Sequence, residues 1–309
     1  MSQLLMDGGE GEKTMRMNRR DFMFKAPLAG AGLAIAAKGI SGITDAPRAV
    51  LKLSSQEGVI PGQNLREKAR RMDKWGFDGL EVWGGGLPKR IEEVKDAIKG
   101  TRLRISAICA GYKGVLISDD KSVREQAVKS IKEILPAAGD LEATGLIMVP
   151  AFNGQTKLDH VEGRKILVDL LPELGEAARK AGTRVLLEPL NRGEAWFLRQ
   201  LADAAAICRD VNHPAVCMMG DFYHMGIEET SDLGAFISGG KYVHHVHLAS
   251  RKRNLPGQDK RSFRGGFQGL KWIGYQDYCS FECGVIGARE VEIPKSLAFL
   301  RKEWEKAVL

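Results

Sequence analysis

Eight short apolar or β-branched runs recur after residue 46 with helical patterns between them, and this alternation limits the fold more than any other feature of the 309-residue chain. The runs cover residues 50–54, 79–83, 104–110, 146–150, 185–188, 216–221, 243–248 and 278–282, with starts 25 to 42 residues apart. Between them, stretches such as 64–75, 122–138, 163–180, 198–209 and 293–306 repeat apolar residues at helical spacing and carry charge on the other face. Eight strand–helix units in roughly 250 residues would average about 31 each, which suits a closed barrel. The predicted fold is therefore α/β, a (β/α)8 TIM barrel forming a single domain over 47–309. An open doubly wound sheet usually has fewer strands, and no GxGxxG follows the first run. Gly84-Gly85-Gly86 follows the second run and reads as a flexible loop at the barrel mouth, since a phosphate cradle opens directly into a helix.

Residues 1–46 read as an address. Two arginines, Arg19 and Arg20, stand just before an apolar stretch over 26–37 that is rich in Ala and Gly and bounded by Lys25 and Lys38. A membrane helix needs about 20 apolar residues, so no stable membrane span is expected and the stretch reads as the apolar part of a signal segment. The arginine pair with Phe22 two positions on resembles a twin-arginine export leader. That resemblance implies a protein that meets the export machinery already folded and works in the periplasm, with Ala34-Ile35-Ala36 as a cleavage motif. The five cysteines, Cys109, Cys208, Cys217, Cys279 and Cys283, lack CxxC or zinc-finger spacing and are expected to be buried thiols. The net charge is +7, of which only +1 lies in 1–46 (six basic, five acidic), so the barrel carries a mild +6. Nucleic-acid binders concentrate basic residues on one face, and no nucleic-acid partner is expected. Oligomeric state is left open, a homo-oligomer included.

In a (β/α)8 barrel the chemistry sits at the C-terminal ends of the strands, so polar residues closing otherwise apolar runs deserve scrutiny. The last four runs each end in one: Glu188, Asp221, His247 and Glu282. The intervals are one strand–helix unit each, which sets the four side by side on one rim. Three carboxylates converging there repel one another unless a cation neutralises them. One divalent metal ion answers the conflict. Three hard oxygens and one imidazole favour Mn²⁺, with Mg²⁺ or Co²⁺ close behind and Zn²⁺ still admissible.

Glu188-Pro189-Leu190-Asn191-Arg192-Gly193-Glu194, Asp221-Phe222-Tyr223-His224-Met225, His245-Val246-His247-Leu248-Ala249 with Arg253 and Pro256-Gly257, Phe281-Glu282-Cys283 and Gly76-Phe77-Asp78-Gly79-Leu80-Glu81 together resemble the xylose-isomerase-like barrels called sugar phosphate isomerases or epimerases. Tagatose 3-epimerase and hydroxypyruvate isomerase are similar. The resemblance implies that Glu188 and Glu282 bind the metal and face opposite sides of the reacting substrate carbon, that Asp221 and His247 are metal ligands, and that His224, Arg253 and Glu194 hold substrate oxygens. Gly193 and Gly226 depart from the family pattern, and both are expected to touch the substrate pocket.

The chemistry also stands on its own. A metal on the carbonyl oxygen and its neighbouring hydroxyl makes the adjacent C–H acidic through an enediolate, and two carboxylates on opposite faces can remove and return the proton. The leading expectation is a metal-dependent sugar isomerase or epimerase acting on a small carbohydrate. The same site acting on a 3-keto-glycoside could instead eliminate the aglycone, making a lyase or hydratase. An endonuclease IV-like phosphodiesterase would want more His ligands than the six His of this chain supply, and a sugar-binding protein without turnover would not need both Glu188 and Glu282. His245 is expected to pack one layer below His247, Trp83 and Cys109 either to form an apolar wall at the mouth or to pack in the core, and His160 and His213 to lie at the surface. In the basic stretch after the seventh run, Arg253 is the functional residue, while Arg251, Lys252, Lys260, Arg261 and Arg264 are expected to form a solvated rim.

Overall fold

The computed structural model describes residues 48–309, so the leader assignment lies outside the described residues. Eight strands, β1 (Lys52–Gln56), β2 (Gly79–Trp83), β3 (Arg104–Cys109), β4 (Leu146–Met148), β5 (Val185–Leu187), β6 (Val216–Asp221), β7 (Val243–Leu248) and β8 (Tyr278–Phe281), pair in parallel in chain order, and β8 returns to β1. The barrel is closed, as the strand spacing required. β2, β6 and β7 have the expected bounds, and β3, β4, β5 and β8 leave the ladder one or two residues early, where the chain turns at the mouth. β1 differs more: it starts two residues later and runs on to Gln56.

Nine α-helices are present among the described residues: α1 (Leu65–Trp75), α2 (Ile91–Ile98), α3 (Lys121–Asp140), α4 (His160–Ala181), α5 (Leu201–Val211), α6 (Phe222–Glu228), α7 (Asp232–Gly239), α8 (Arg264–Trp272) and α9 (Arg289–Lys306). Their ends are written in the sequence. The Asn64 side chain accepts from the Glu67 N–H to start α1, Asp159 does the same for the Glu162 N–H at α4, and Gly76 and Gly182 close these helices in the left-handed region. The inner helix faces bury Leu, Ile, Val and Phe against the outward side chains of the strands, about 1.5–3 kcal/mol for each fully buried large residue.

Alternation along the strands divides the barrel lumen into two halves. Ala107, Ile147, Leu186, Cys217 and Met219, from β3 to β6, form a separate apolar cluster. On the other side the buried residues are polar and must find partners inside: Ser54 and Ser106 share a hydrogen bond of 2.6 Å, and His245 Nε2 lies 2.8 Å from Glu81 Oε2. The metal-ligand candidates stand above this polar half.

Candidate metal centre and active site

Each of the four strand-end residues is the inward-facing one at the mouth, because the residue two positions earlier, Leu186, Met219, His245 or Ser280, already faces the lumen. The structure brings Glu188, Asp221, His247 and Glu282 together, with one donor atom from each within 4.8 Å of the others. His247 Nδ1 lies 3.4 Å from Glu188 Oε1 and 3.3 Å from Glu282 Oε2. Glu188, Asp221 and His247 are buried, and Glu188 Oε1, Asp221 Oδ2 and His247 Nδ1 have no hydrogen-bond partner among the described residues.

The electrostatics state the same conflict. Burial, aided by the Glu282 charge, pushes Asp221 up to about 8. Burial likewise raises Glu188 against the pull of His247. Burial would also raise Glu282, but the adjacent His247 and Arg253 charges hold it at about 2. Three acids around one imidazole cannot all ionise without a further positive charge. Orphaned hard oxygens with a single imidazole nitrogen are the donor set a divalent cation requires, so these residues fit one.

The substrate-binding candidates converge on the same place. Arg253 donates from Nη1 to Glu194 Oε1 at 3.1 Å and from Nη2 to Glu282 Oε2 at 3.0 Å, and its guanidinium lies 4.9 Å from the Tyr223 ring centroid. Its backbone is left-handed, φ 56°, held by the Arg253 N–H to Ser250 O and by Gly284 N–H to Arg253 O. His224 is buried, and its Nδ1 accepts from the backbone N–H of Asn191 at 3.1 Å. The proton therefore sits on Nε2, a buried donor that has no hydrogen-bond partner among the described residues and lies 3.5 Å from Asp221 Oδ2. Burial and the Arg253 charge hold His224 down at about 3, so it is a neutral donor at neutral pH.

Beside these residues opens a cavity of about 420 Å³ whose lining includes Glu188, Glu194, Arg253 and Glu282 together with Trp83 and Cys109. A larger cavity of about 750 Å³ lies between α3 and α4 outside the barrel and contains none of the strand-end residues. Gly193 and Gly226 do not line the 420 Å³ cavity, contrary to expectation. Gly226 instead makes room for Arg261, whose Nη1 would lie 2.3 Å from a Cβ there. Arg261 is accordingly not part of a solvated rim: it is buried, donates to Asp232 at 2.9 Å and lies over the Phe222 and Phe263 rings. In the glycine run after β2, Gly84 is closely packed, since a Cβ there would stand 2.0 Å from Ala110 O. His160 is exposed as expected, whereas His213 is half-buried with Nε2 3.6 Å from Glu176. All five cysteines are free thiols.

Two residues of the site went unassigned in the sequence. Glu81 is fully buried and contacts His245, His247 and Gln56. Gln56 donates from Nε2 to Glu81 Oε1 and to Glu282 Oε1, both at 2.9 Å. Glu81 escapes the criterion that picked Glu188 because it lies two residues before the end of its run, and a carboxylate inside the otherwise apolar Gly79–Trp83 is the signal that could have found it. Gln56 was hidden because β1 extends two residues beyond the expected run.

Fold and site together define a (β/α)8 barrel protein with a three-carboxylate, one-imidazole cage at its mouth. The chain belongs to the family described as xylose isomerase-like TIM barrel, whose model matches residues 69–303. It is 34% identical over 261 residues to the 3-dehydro-D-guloside 4-epimerase of Escherichia coli K12, covering 81% of this chain and 99% of that protein. Identity to the L-ribulose 3-epimerase of Mesorhizobium japonicum is 28%, over 78% of this chain and 80% of the relative. The crystal structure of the apo 3-keto-D-glucoside 4-epimerase from E. coli matches with a TM-score of 0.77 at 32% identity, covering 82% of this chain and all of that one.

Proposed function

We propose that the protein is a divalent-metal-dependent sugar epimerase that inverts a carbon beside a carbonyl. The observation that carries this reading is the placement of Glu188 and Glu282, from opposite ends of the run β5–β8, on one cavity that also holds Arg253 and Glu194. The sugar epimerases among the relatives support it. A divalent ion in the cage supplies positive charge that stabilises the negative charge developing on substrate oxygen. The rest is done by the chain's own groups. One of Glu188 and Glu282 takes the C–H proton and the other delivers a proton to the opposite face. The His224 Nε2–H and the Arg253 guanidinium donate to substrate oxygens, and Glu194 accepts from a hydroxyl.

The test is incubation of the metal-loaded protein with keto sugars in D2O. One solvent deuterium is expected at the inverted carbon, and both Glu188→Gln and Glu282→Gln should lose it. Release of an aglycone without exchange would move the protein to the lyase class. Mn²⁺ is the proposed metal, supported by the oxygen-rich donor set, and full activity with stoichiometric zinc would overturn that choice. Export through the twin-arginine route is proposed from Arg19, Arg20 and the short apolar stretch that follows. Cell fractionation with Arg19→Lys and Arg20→Lys tests it, and unchanged location in the double variant would refute it.

A further inference from the structure

We propose that the mouth carries a second sugar subsite built on Trp83, so that the preferred substrate is a keto-glycoside with a second sugar ring and not a free monosaccharide. The inference rests on the epimerase reading and deepens it. Trp83 closes β2, and its side chain is 50% exposed. Yet its backbone is fixed: the Trp83 N–H donates to Glu57 Oε1 at 3.0 Å, and Glu57 is gripped by Arg90 through bonds of 3.2 and 2.9 Å. The indole lies close over Gly85, where a Cβ would stand 2.4 Å from Trp83 Nε1. An indole on a fixed backbone but left half in water forfeits burial that a large aromatic ordinarily contributes to a core.

The space around it explains the arrangement. Two cavities, of about 420 and 260 Å³, share Trp83, Cys109 and Glu282. The first contains Glu188, Glu194 and Arg253. The second meets the first at Glu282 and is lined further by Gln56, Glu57, Gly58, Glu81 and Val82. Glu57 keeps accepting capacity, since Oε2 takes one bond from Arg90 while Oε1 takes two. A sugar ring has an apolar C–H face and a polar edge. With its face on the indole and its hydroxyls toward Glu57 and the Gly58 backbone, the second ring of a glycoside fills the smaller cavity while the first ring stands over Glu188 and Glu282. A free monosaccharide occupies the larger cavity alone.

The experiment compares a 3-keto derivative of a glucose disaccharide with the corresponding free keto-monosaccharide, using deuterium exchange by the metal-loaded protein. Wild type should favour the disaccharide in kcat/KM, and Trp83→Ala should lower that preference about tenfold, the loss of one stacking contact. Trp83→Phe should retain most of it, which separates stacking from misfolding. Quenching of tryptophan fluorescence by the unoxidised disaccharide should disappear in Trp83→Ala. A preference unmoved by Trp83→Ala, with exchange intact, would overturn the subsite and leave the epimerase standing. No exchange with either sugar, with Trp83-dependent quenching retained, would sink the reaction and leave the subsite standing.

Discussion

Glu81 Oε1 lies 3.1 Å from His247 Nε2, with both side chains fully buried, and this contact decides which imidazole nitrogen faces the other carboxylates. Although burial alone would raise it, the neighbouring His247 charge holds Glu81 well below the usual carboxylate range, so it is ionised and can only accept. His247 then keeps its proton on Nε2, and Nδ1, which faces the space shared with Glu188 and Glu282, is the nitrogen that gives up its proton to a metal. A carboxylate behind a metal-ligating imidazole fixes its tautomer and strengthens it as a ligand.

Glu81→Gln should therefore weaken metal binding by about 10–100-fold. The amide has one oxygen to offer where two imidazoles and Gln56 now compete for two. Titration calorimetry with Mn²⁺ reads the affinity directly, and circular dichroism checks the fold. Unchanged affinity in a folded variant would show that Glu81 does not orient His247.

The closed barrel and the four strand-end residues could be read from the chain because each depends on a repeating signal: strand spacing fixes the barrel, and two-residue alternation fixes which side chain faces the mouth. What the pattern could not supply was partnership across the barrel. Glu81 and His245 lie 164 positions apart in the chain, and nothing local to Gly79-Leu80-Glu81 says that an imidazole waits opposite. Arg261 failed for a related reason. Several of its neighbours in sequence are charged, yet Gly226 and the Phe222 ring, brought from elsewhere, join the nearby Phe263 ring to make a buried seat for it.

Arg253 bridges Glu194 and Glu282 with two nitrogens, a geometry that a lysine cannot reproduce. Losing a charged hydrogen bond costs about 1.5–3 kcal/mol, so Arg253→Lys should lower kcat/KM by about 10–100-fold. Tyr223→Leu removes only the stacking beneath the guanidinium and should cost less, at most about tenfold. Steady-state kinetics on both variants give the order, and a larger loss for Tyr223→Leu would assign the main role to the ring.

The loop after β5 is tied to α6 by Glu228, whose Oε1 accepts from the Arg192 backbone and Nε, both at 2.7 Å, while Oε2 accepts from Arg192 Nη2 at 3.0 Å. Arg192 holds the Glu228 carboxyl below the ordinary glutamate range. A group whose folded pKa is lowered stabilises the fold above its unfolded value, about 4.3, and loses that contribution as pH falls through the folded value. Glu228→Gln should thus be less stable than wild type at pH 7, with the gap closing below about pH 4. Thermal melts across pH 3–7 test this, and a gap independent of pH would assign the effect to packing.

The approach of the β3 and β2 loops supports the Trp83 platform, and two glycines separate its causes. Gly111 has φ 87°, and a Cβ there would lie 2.0 Å from Gly85 N; Gly86 has φ 73° with nothing within 4 Å of a Cβ. Gly86→Ala bears only the left-handed backbone cost of about 1–2 kcal/mol. Gly111→Ala bears that and an overpacking cost of about 1–3 kcal/mol, because backbone atoms cannot step aside as a flexible side chain can. Gly111→Ala should therefore melt several degrees lower than Gly86→Ala, at about 2–4 °C per kcal/mol for a domain of this size. It should also displace the loop that carries Trp83, which Gly86→Ala should leave in place. Equal melting temperatures for the two variants would mean that conformation, not contact between the loops, sets the demand for glycine at this mouth.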